Sequence, residues 1–210
     1  MEARGTLETA AVRATELGDR FVEALAYATR THDGQLRGSD DQPYIAHLLR
    51  VTGLVIQEGG SEDEAIAALL HDAVEDQGGV ERLEDIRRRY GDAVADVVDE
   101  CTDSYGDPKP SWRRRKEEYI RGLDEASDGA LLVSLADKLD NTRSMIRGYR
   151  IRGEDQFQSS GKSAEDVRWY YPTLAARLCE LRPGPLADEL SRSAAQLERL
   201  IEGAGRDGGG

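Results

Sequence analysis

Apolar residues recur at three- and four-residue steps along most of this chain, which is the period of one face of an α-helix. The pattern predicts helices, separated by glycines, prolines and polar loops, over residues 10–31, 43–58, 61–77, 83–90, 92–102, 112–123, 129–148, 164–181 and 186–202. No stretch alternates apolar and polar residues as a half-buried strand would. The sequence therefore predicts an all-α fold in one domain over residues 1–203, followed by a disordered Gly-rich tail at 204–210.

Local signals place the ends of the second and third predicted helices. Pro43 suits the first turn of the second helix, and Gly59 and Gly60 end it. Ser61 followed by Glu64 has the spacing of a capping box, so the third helix is predicted to begin at this serine.

The formal net charge of −13 over 210 residues limits which partners the chain can bind. An acidic chain is a poor binder of nucleic acid polymers, but a local basic patch can still bind a small phosphorylated nucleotide. No run approaches the roughly 20 apolar residues of a membrane span, and the N-terminus lacks the apolar segment of a signal peptide. Cys101 and Cys179 form no CxxC motif, which predicts reduced thiols in a cytoplasmic protein.

The segment AIAALLHDAVEDQGG, residues 65–79, places ionisable groups at the end of the most apolar predicted helix. Buried charges are costly unless they are paired or bind a metal. His71 and Asp72 point about 100° apart on a helix, so they share one ion only if other helices supply further ligands. His47, at the end of YIAH, and Asp137, inside the apolar run LLVSLADKL, are the candidates.

Each of these residues also has a simpler interpretation on its own. A single histidine is usually held by a structural hydrogen bond, and Asp137 alone suits a buried salt bridge with Arg or Lys. A metal explains the whole set better, and imidazole with carboxylate ligands suits Mn, Fe, Zn or Co without selecting among them. For His32, in the stretch HDGQ, we predict a structural hydrogen bond near the pocket wall.

Two further acids follow the His-Asp pair. Glu75 comes four residues after His71, and Asp76 four after Asp72, so a continuous helix would place each beneath a ligand. A carboxylate there could orient or deprotonate a water molecule at the metal. The alternative is a solvated helix end, although acids at a helix C-terminus oppose the helix dipole.

The stretch KPSWRRRKEEY concentrates positive charge in an otherwise acidic chain; its cations are Lys109, Arg113, Arg114, Arg115 and Lys116. One interpretation is a solvated helix start that pairs with the two following glutamates. The other is a phosphate clamp over the metal site, because guanidinium groups bind phosphate in a bidentate manner. We predict a clamp of Lys109 with one or two of Arg114, Arg115 and Lys116, and we assign Trp112 and Trp169 to packing.

Three ordered blocks carry a family resemblance: HDGQLRGSDDQPYIAHLLRV, AIAALLHDAVEDQ and LADKLDNTRSM. The pattern H…HD…D resembles that of the HD-domain metal-dependent phosphohydrolases. The flanks resemble the hydrolase domain of the RelA/SpoT family, and most closely its small stand-alone alarmone hydrolases. CTDSYGDPKPSWRRRKEEY also resembles the segment that precedes the last metal ligand in those enzymes. The likeness covers about residues 20–150, with a weaker echo at RWYYPTL in the C-terminal helices, about 164–202.

The resemblance implies an HD-domain helical bundle around a single Mn²⁺ site and removal of the 3′-pyrophosphate of (p)ppGpp. Carried over by position, the metal ligands are His47, His71, Asp72 and Asp137. The same comparison makes Glu75 and Asp76 the acidic pair that activates and positions the water, and makes Asn141 and Tyr170 substrate contacts. The alternative cofactor is another divalent transition metal in place of Mn²⁺. No synthetase domain is expected, because residues 150–210 are too few to hold one.

Two departures from the family pattern concern the substrate. Several basic residues usually follow HxxQ in the family, whereas LRGSDD has only Arg37, followed by two acids. Asp140 replaces a common His or Tyr in LADKLDN, at a position that is not a metal ligand. The alternatives are therefore hydrolysis of another phosphorylated nucleotide such as NADPH, or a non-catalytic nucleotide sensor. A homo-oligomer is a further possibility, because the C-terminal helices either complete the pocket or cover a dimer interface.

Overall fold

The structure is a computed structural model that describes residues 15–37, 42–103, 105, 110–158 and 162–207. Its helices are α1 (Asp19–Thr31), α2 (Ile45–Gln57), α3 (Glu62–Leu70), α4 (Ala73–Asp76), α5 (Gly79–Tyr90), α6 (Asp92–Cys101), α7 (Trp112–Gly122), α8 (Asp128–Arg152), α9 (Asp155–Gln158), α10 (Ala164–Leu181) and α11 (Pro185–Asp207). A 3₁₀ turn at Leu123–Glu125 follows α7. The predicted all-α architecture is confirmed.

A small hairpin between α1 and α2 was not predicted. Strands β1 (Leu36–Arg37) and β2 (Gln42–Pro43) pair antiparallel, with Leu36 opposite Pro43. Pro43 therefore belongs to a strand, and α2 begins two residues later than the helix predicted from residue 43. Strands of two residues are too short to produce an alternating pattern that sequence reading detects.

The first predicted helix is also shorter than expected within the described residues. Helix α1 begins at Asp19 after Gly18, which has an extended backbone at the N-cap position. Leu17, which we assigned to the helical period, therefore precedes the helix and is 40% exposed.

The predicted helix over residues 61–77 is divided in two. The capping box is confirmed, because the Ser61 hydroxyl accepts from the backbone N–H of Glu64, whose carboxylate accepts from the backbone N–H of Ser61. Helix α3 then buries every residue from 65 to 70, as a helix at the centre of a fold does. It ends before His71, and after a turn at His71 and Asp72 the chain resumes as the short α4.

Helix α8 lies at the centre of the helix packing. It is 25 residues long, and it packs against α2, α3, α6, α10 and α11. Helix α10 has the bounds predicted for it and begins with a second capping box, formed by Ser163 and Asp166. Helix α11 extends to Asp207, past residue 203 where the domain was expected to end. Within the described ranges, no helix combines the length and apolar character needed to cross a membrane.

Candidate active site

Four side chains from three segments of the chain meet at the junction of α3 and α4. His47 comes from α2, His71 and Asp72 from the junction, and Asp137 from α8. The Nε2 atom of His47 is 3.3 Å from Asp72 Oδ2 and 3.2 Å from Asp137 Oδ1. The Nε2 atom of His71 is 3.1 Å and 3.6 Å from the same two oxygens. The four predicted ligands therefore converge, and all but Asp72 are buried.

The second nitrogen of each imidazole is already hydrogen bonded. His47 Nδ1 lies 2.7 Å from Asp140 Oδ2, and His71 Nδ1 lies 2.8 Å from the backbone oxygen of Ala68. Both buried Nε2 atoms face the Asp72 and Asp137 oxygens, but among the described residues neither makes a hydrogen bond of normal geometry. Ligand atoms of the two rings and of Asp137 lie within 4.8 Å of one another. Two imidazole nitrogens and carboxylate oxygens directed at one point are a donor set that fits a divalent transition metal.

The electrostatics of this cluster suit a cation. Burial disfavours the charged form of every group, yet the pKa of His71 lies well above its usual value because Asp72 and Asp137 lie beside it. The two carboxyl pKa values are well below the usual range, because the histidines outweigh the burial of Asp72, and Lys138 together with the histidines outweighs that of Asp137. A bound divalent cation would supply positive charge to the same carboxylates.

The two oxygens of Asp137 have different partners. Oδ2 accepts from Lys138 Nζ at 2.6 Å, which is the salt bridge that the simpler interpretation proposed. Oδ1 faces the histidines and accepts from Asn141 Nδ2 at 2.6 Å. Asn141, predicted to contact substrate, is therefore held at the edge of the ligand cluster, one helical turn after Asp137.

The predicted acidic pair is split between two environments. Glu75 lines the same cavity as His71, and its Oε1 lies 3.5 Å from Arg115 Nη1. Asp76 is held elsewhere, because its Oδ2 accepts from Gln35 Nε2 at 2.8 Å. The interrupted helix explains the difference: the continuous-helix spacing that we expected does not apply across the junction.

The basic segment divides in a similar way. Arg115 and Lys116 turn towards the cavity, where both pair with the buried Asp103, and the Lys116 Nζ atom is 2.5 Å from its Oδ2. Arg114 instead faces solvent and pairs with a glutamate one turn along its own helix. The helical period directs Arg114 away from the cavity, so Arg115 and Lys116 are the better placed members of the predicted clamp, and a role for Arg114 stays a prediction. Lys109 lies outside the described residues.

A cavity of about 120 Å³ adjoins the ligand cluster; its lining residues are Trp112, Lys116, Lys138, Asn141, Lys162, Tyr170 and Tyr171. The predicted contact Tyr170 is buried, and its hydroxyl has no hydrogen-bond partner in the described part of the chain. Trp112 packs edge-on against this ring with the centroids 5.3 Å apart. Burial, and then the neighbouring cation Lys116, lower the pKa of Lys162 to about 8. The cavity is therefore lined by lysines and aromatic rings, and two of these lysines, Lys116 and Lys138, are paired with aspartates.

Arg37 reaches the same edge of the site from β1. Its Nη2 donates to Asn141 Oδ1 and lies 3.8 Å from Asp140 Oδ2. His32 lies behind this edge, stacked on Tyr44 with a centroid distance of 5.0 Å. Its Nδ1 is 2.7 Å from Gln35 Oε1, in agreement with the structural hydrogen bond that we predicted.

Sequence reasoning did not assign three residues at this site. The Tyr44 hydroxyl donates to Asp72 Oδ2 at 2.6 Å. The sequence contained a signal for it, because Tyr44 precedes the candidate ligand His47 by three residues. Lys138 was visible as a cation inside an apolar helix. Lys162 had no local signal, because it lies in a polar loop and only the tertiary fold brings it to the cavity.

Comparisons with known proteins agree with this geometry. The HD domain family matches residues 24–156. The guanosine-3′,5′-bis(diphosphate) 3′-pyrophosphohydrolase MESH1 of Drosophila melanogaster is 36% identical over 176 residues, which are 80% of this chain and 96% of that protein. The GTP pyrophosphokinase of Streptomyces coelicolor is 35% identical over 177 residues, 82% of this chain and 18% of that longer protein. A solved structure, described as a metazoan ortholog of SpoT that hydrolyzes ppGpp, superimposes with a TM-score of 0.63 at 29% identity, covering 93% of this chain and 99% of that one.

Proposed function

We propose, because this chain belongs to the HD domain family, that it is a metal-dependent guanosine-3′,5′-bis(diphosphate) 3′-pyrophosphohydrolase. Water attacks the phosphorus bound to the 3′-oxygen of (p)ppGpp, and the bond between that phosphorus and the 3′-oxygen breaks. The 3′-oxygen is the leaving group and takes up a proton to become a hydroxyl, and the attacking oxygen is retained in the released pyrophosphate. The other product is GDP or GTP. Mn²⁺ is our first candidate for the metal, and the cytoplasm for the location.

The observation that carries this proposal is the pair of buried, unbonded Nε2 atoms of His47 and His71 opposite the carboxylates of Asp72 and Asp137. Protonated carboxyls or apolar side chains would fill such a space at less electrostatic cost. A divalent cation, when bound, supplies a Lewis acid that stabilises negative charge on phosphoryl oxygens and lowers the pKa of water.

The surrounding residues divide the remaining work. Glu75 faces the ligand cluster and accepts the proton of the attacking water. Asp76, held by Gln35, helps to position that water. Lys116 and Lys138, which line both the metal cavity and the adjoining one, bind the phosphates.

The nucleotide contacts lie further from the metal. Asn141 and Tyr170 contact the part of the nucleotide that enters the adjoining cavity. Arg115 supports the phosphate site from the wall that it shares with Asp103.

The test is to incubate the purified chain with Mn²⁺ and ppGpp and to identify the products. We expect equimolar pyrophosphate and GDP, and we expect Asp72→Ala to abolish both. Asp63→Ala, which removes an exposed acid of α3 that pairs with Arg20, is the matched control and should retain activity. Failure of the wild type to release pyrophosphate across Mn²⁺, Co²⁺, Fe²⁺ and Zn²⁺ would refute the proposal.

A second candidate function is hydrolysis of another phosphorylated nucleotide, such as NADPH. The environment of Arg37 favours it. This arginine is engaged by Asn141 and lies beside Asp140, so part of its charge is already balanced before a nucleotide arrives. A panel of nucleotides separates the candidates by product. NADPH would release inorganic phosphate, whereas ppGpp would release pyrophosphate.

A further inference from the structure

Asp140 lies at the centre of a network behind the candidate metal ligands. Its Oδ2 is 2.7 Å from His47 Nδ1, and its Oδ1 accepts from Arg50 Nε at 2.5 Å. Its side chain is buried, whereas the side chain of Arg50 is 42% exposed. The buried carboxylate therefore contacts one buried ring and one arginine that reaches solvent, and a second arginine, Arg37, lies 3.8 Å from its Oδ2.

The spacing of the two helices produces this arrangement. Asp137 and Asp140 are three residues apart on α8, so they share one face of that helix. Their carboxylates contact opposite nitrogens of one imidazole: Asp137 lies at Nε2 of His47 and Asp140 at Nδ1. The ring is thus fixed at both ends by a single helix.

A carboxylate accepts hydrogen bonds and donates none, which determines where the proton of a neutral imidazole lies. With Asp140 at Nδ1, the proton is held on that nitrogen, and the lone pair is left on Nε2. His71 reaches the same state through the backbone oxygen of Ala68. The difference is that the partner of His71 is a neutral backbone group, whereas the partner of His47 is a charged side chain that mutation can change.

We propose that Asp140 is a positioning residue that holds His47 as the Nδ1–H tautomer and makes its Nε2 a stronger ligand for the divalent cation. The inference rests on the proposed metal site. Carboxylates behind ligating histidines fix ring orientation and raise ligand basicity. Asp140 lines neither the metal cavity nor the adjoining one. Its neighbours Arg37 and Arg50 are not candidate metal ligands, so its effect on metal affinity passes through His47.

Metal affinity without nucleotide is the direct test. Asp140→Asn is nearly isosteric but removes the charge and offers an amide that can donate instead of accept. We expect the dissociation constant for Mn²⁺, measured by competition with a chelating dye, to rise by roughly 10- to 100-fold. Unchanged affinity in a folded variant would overturn the inference while leaving the proposed function standing. A wild type that binds no divalent cation would overturn both.

Arg50 provides the control for charge. Arg50→Gln should change metal affinity by no more than about twofold, because this arginine does not contact His47. The double variant Asp140→Asn, Arg50→Gln should bind Mn²⁺ as weakly as Asp140→Asn alone. Restored affinity in the double variant would show that an unpaired Arg50 charge, rather than the tautomer of His47, causes the loss.

A spectroscopic measurement on the wild type keeps the inference testable if Asp140→Asn fails to fold. The chain has three histidines, so ¹⁵N NMR of the Zn²⁺-loaded protein yields few imidazole signals to assign. We expect the His47 signal to show a protonated Nδ1 and a ligated Nε2. A ligated Nδ1 on His47 would overturn the inference.

Discussion

Lys116 and Arg114 are near neighbours in sequence, but Lys116 lies at the candidate phosphate site and Arg114 lies in solvent. Lys116 pairs with the buried Asp103 and lines the candidate phosphate site, whereas the Arg114 side chain is 71% exposed. We expect Lys116→Gln to raise KM for ppGpp roughly tenfold, as the loss of one charge-assisted contact would. Arg114→Gln should leave KM within about twofold, because exposed ion pairs contribute little. Equal effects in steady-state assays would contradict this assignment.

Lys162 gives the active site a pH dependence of its own. Burial and neighbouring cations lower its pKa to about 8, and a lysine is charged only below its pKa. As the pH rises through about 8, the cavity loses one positive charge, so kcat/KM for ppGpp should fall. Lys162→Arg keeps its charge throughout this range and should move the fall to higher pH. Superimposable pH profiles for the two proteins would show that Lys162 does not bind substrate.

The convergence of the candidate metal ligands was predictable from sequence, whereas the residues around them were predictable only in part. Histidine and aspartate are conspicuous at the end of an apolar helix, since burial without a partner is costly. Lys162 comes from a loop, and Arg114 differs from Lys116 only in the direction that a helix gives its side chain. Both outcomes depend on tertiary placement, which a local pattern does not contain.

At the scale of elements, the sequence predicted the helices well because the apolar period of each one is set by the face that it buries. The interruption between α3 and α4 was not predicted, because residues 65–76 contain no Gly or Pro and the helical period does not visibly fail. The turn at His71 and Asp72 instead agrees with the demands of the site, which requires both side chains to face the same buried point.

The two capping boxes allow the contributions of α3 and α10 to stability to be tested by the same substitution at each helix start. Ser61→Ala removes the hydroxyl that accepts from the backbone N–H of Glu64. Ser163→Ala makes the same change at the start of α10. Each should lower the free energy of unfolding in urea by about 1 kcal/mol.

The consequences for the metal site should differ little between the two variants, because α3 remains packed on all sides. We therefore expect Mn²⁺ affinity to stay near the wild-type value in both. A large loss of affinity in Ser61→Ala alone would show that the cap, rather than the packing of α3, positions His71.

At the scale of the whole molecule, the fold places a group of cations for an anionic substrate within a chain whose net charge is negative. The chain has a net charge of −13, yet it concentrates Lys116, Lys138 and Lys162 around one cavity. These lysines come from α7, α8 and the loop before α10, so no single segment carries the basic patch. A local group of cations raises the local concentration of anions even in an acidic chain, so we expect the cavity to favour highly charged phosphate groups.

The metal site also links distant parts of the chain, so metal removal should affect global stability. A cation would join candidate ligands from α2, the α3–α4 junction and α8, and a cation that binds only the folded state stabilises it by about 2.7 kcal/mol at 100 times its dissociation constant. For a domain of this size we expect Mn²⁺ to raise Tm by roughly 5–10 °C, reversibly with EDTA. Asp137→Asn should abolish the shift, whereas His32→Gln, which changes a nearby histidine held by Gln35, should retain it. A shift that survives in Asp137→Asn would place the stabilising cation elsewhere in the molecule.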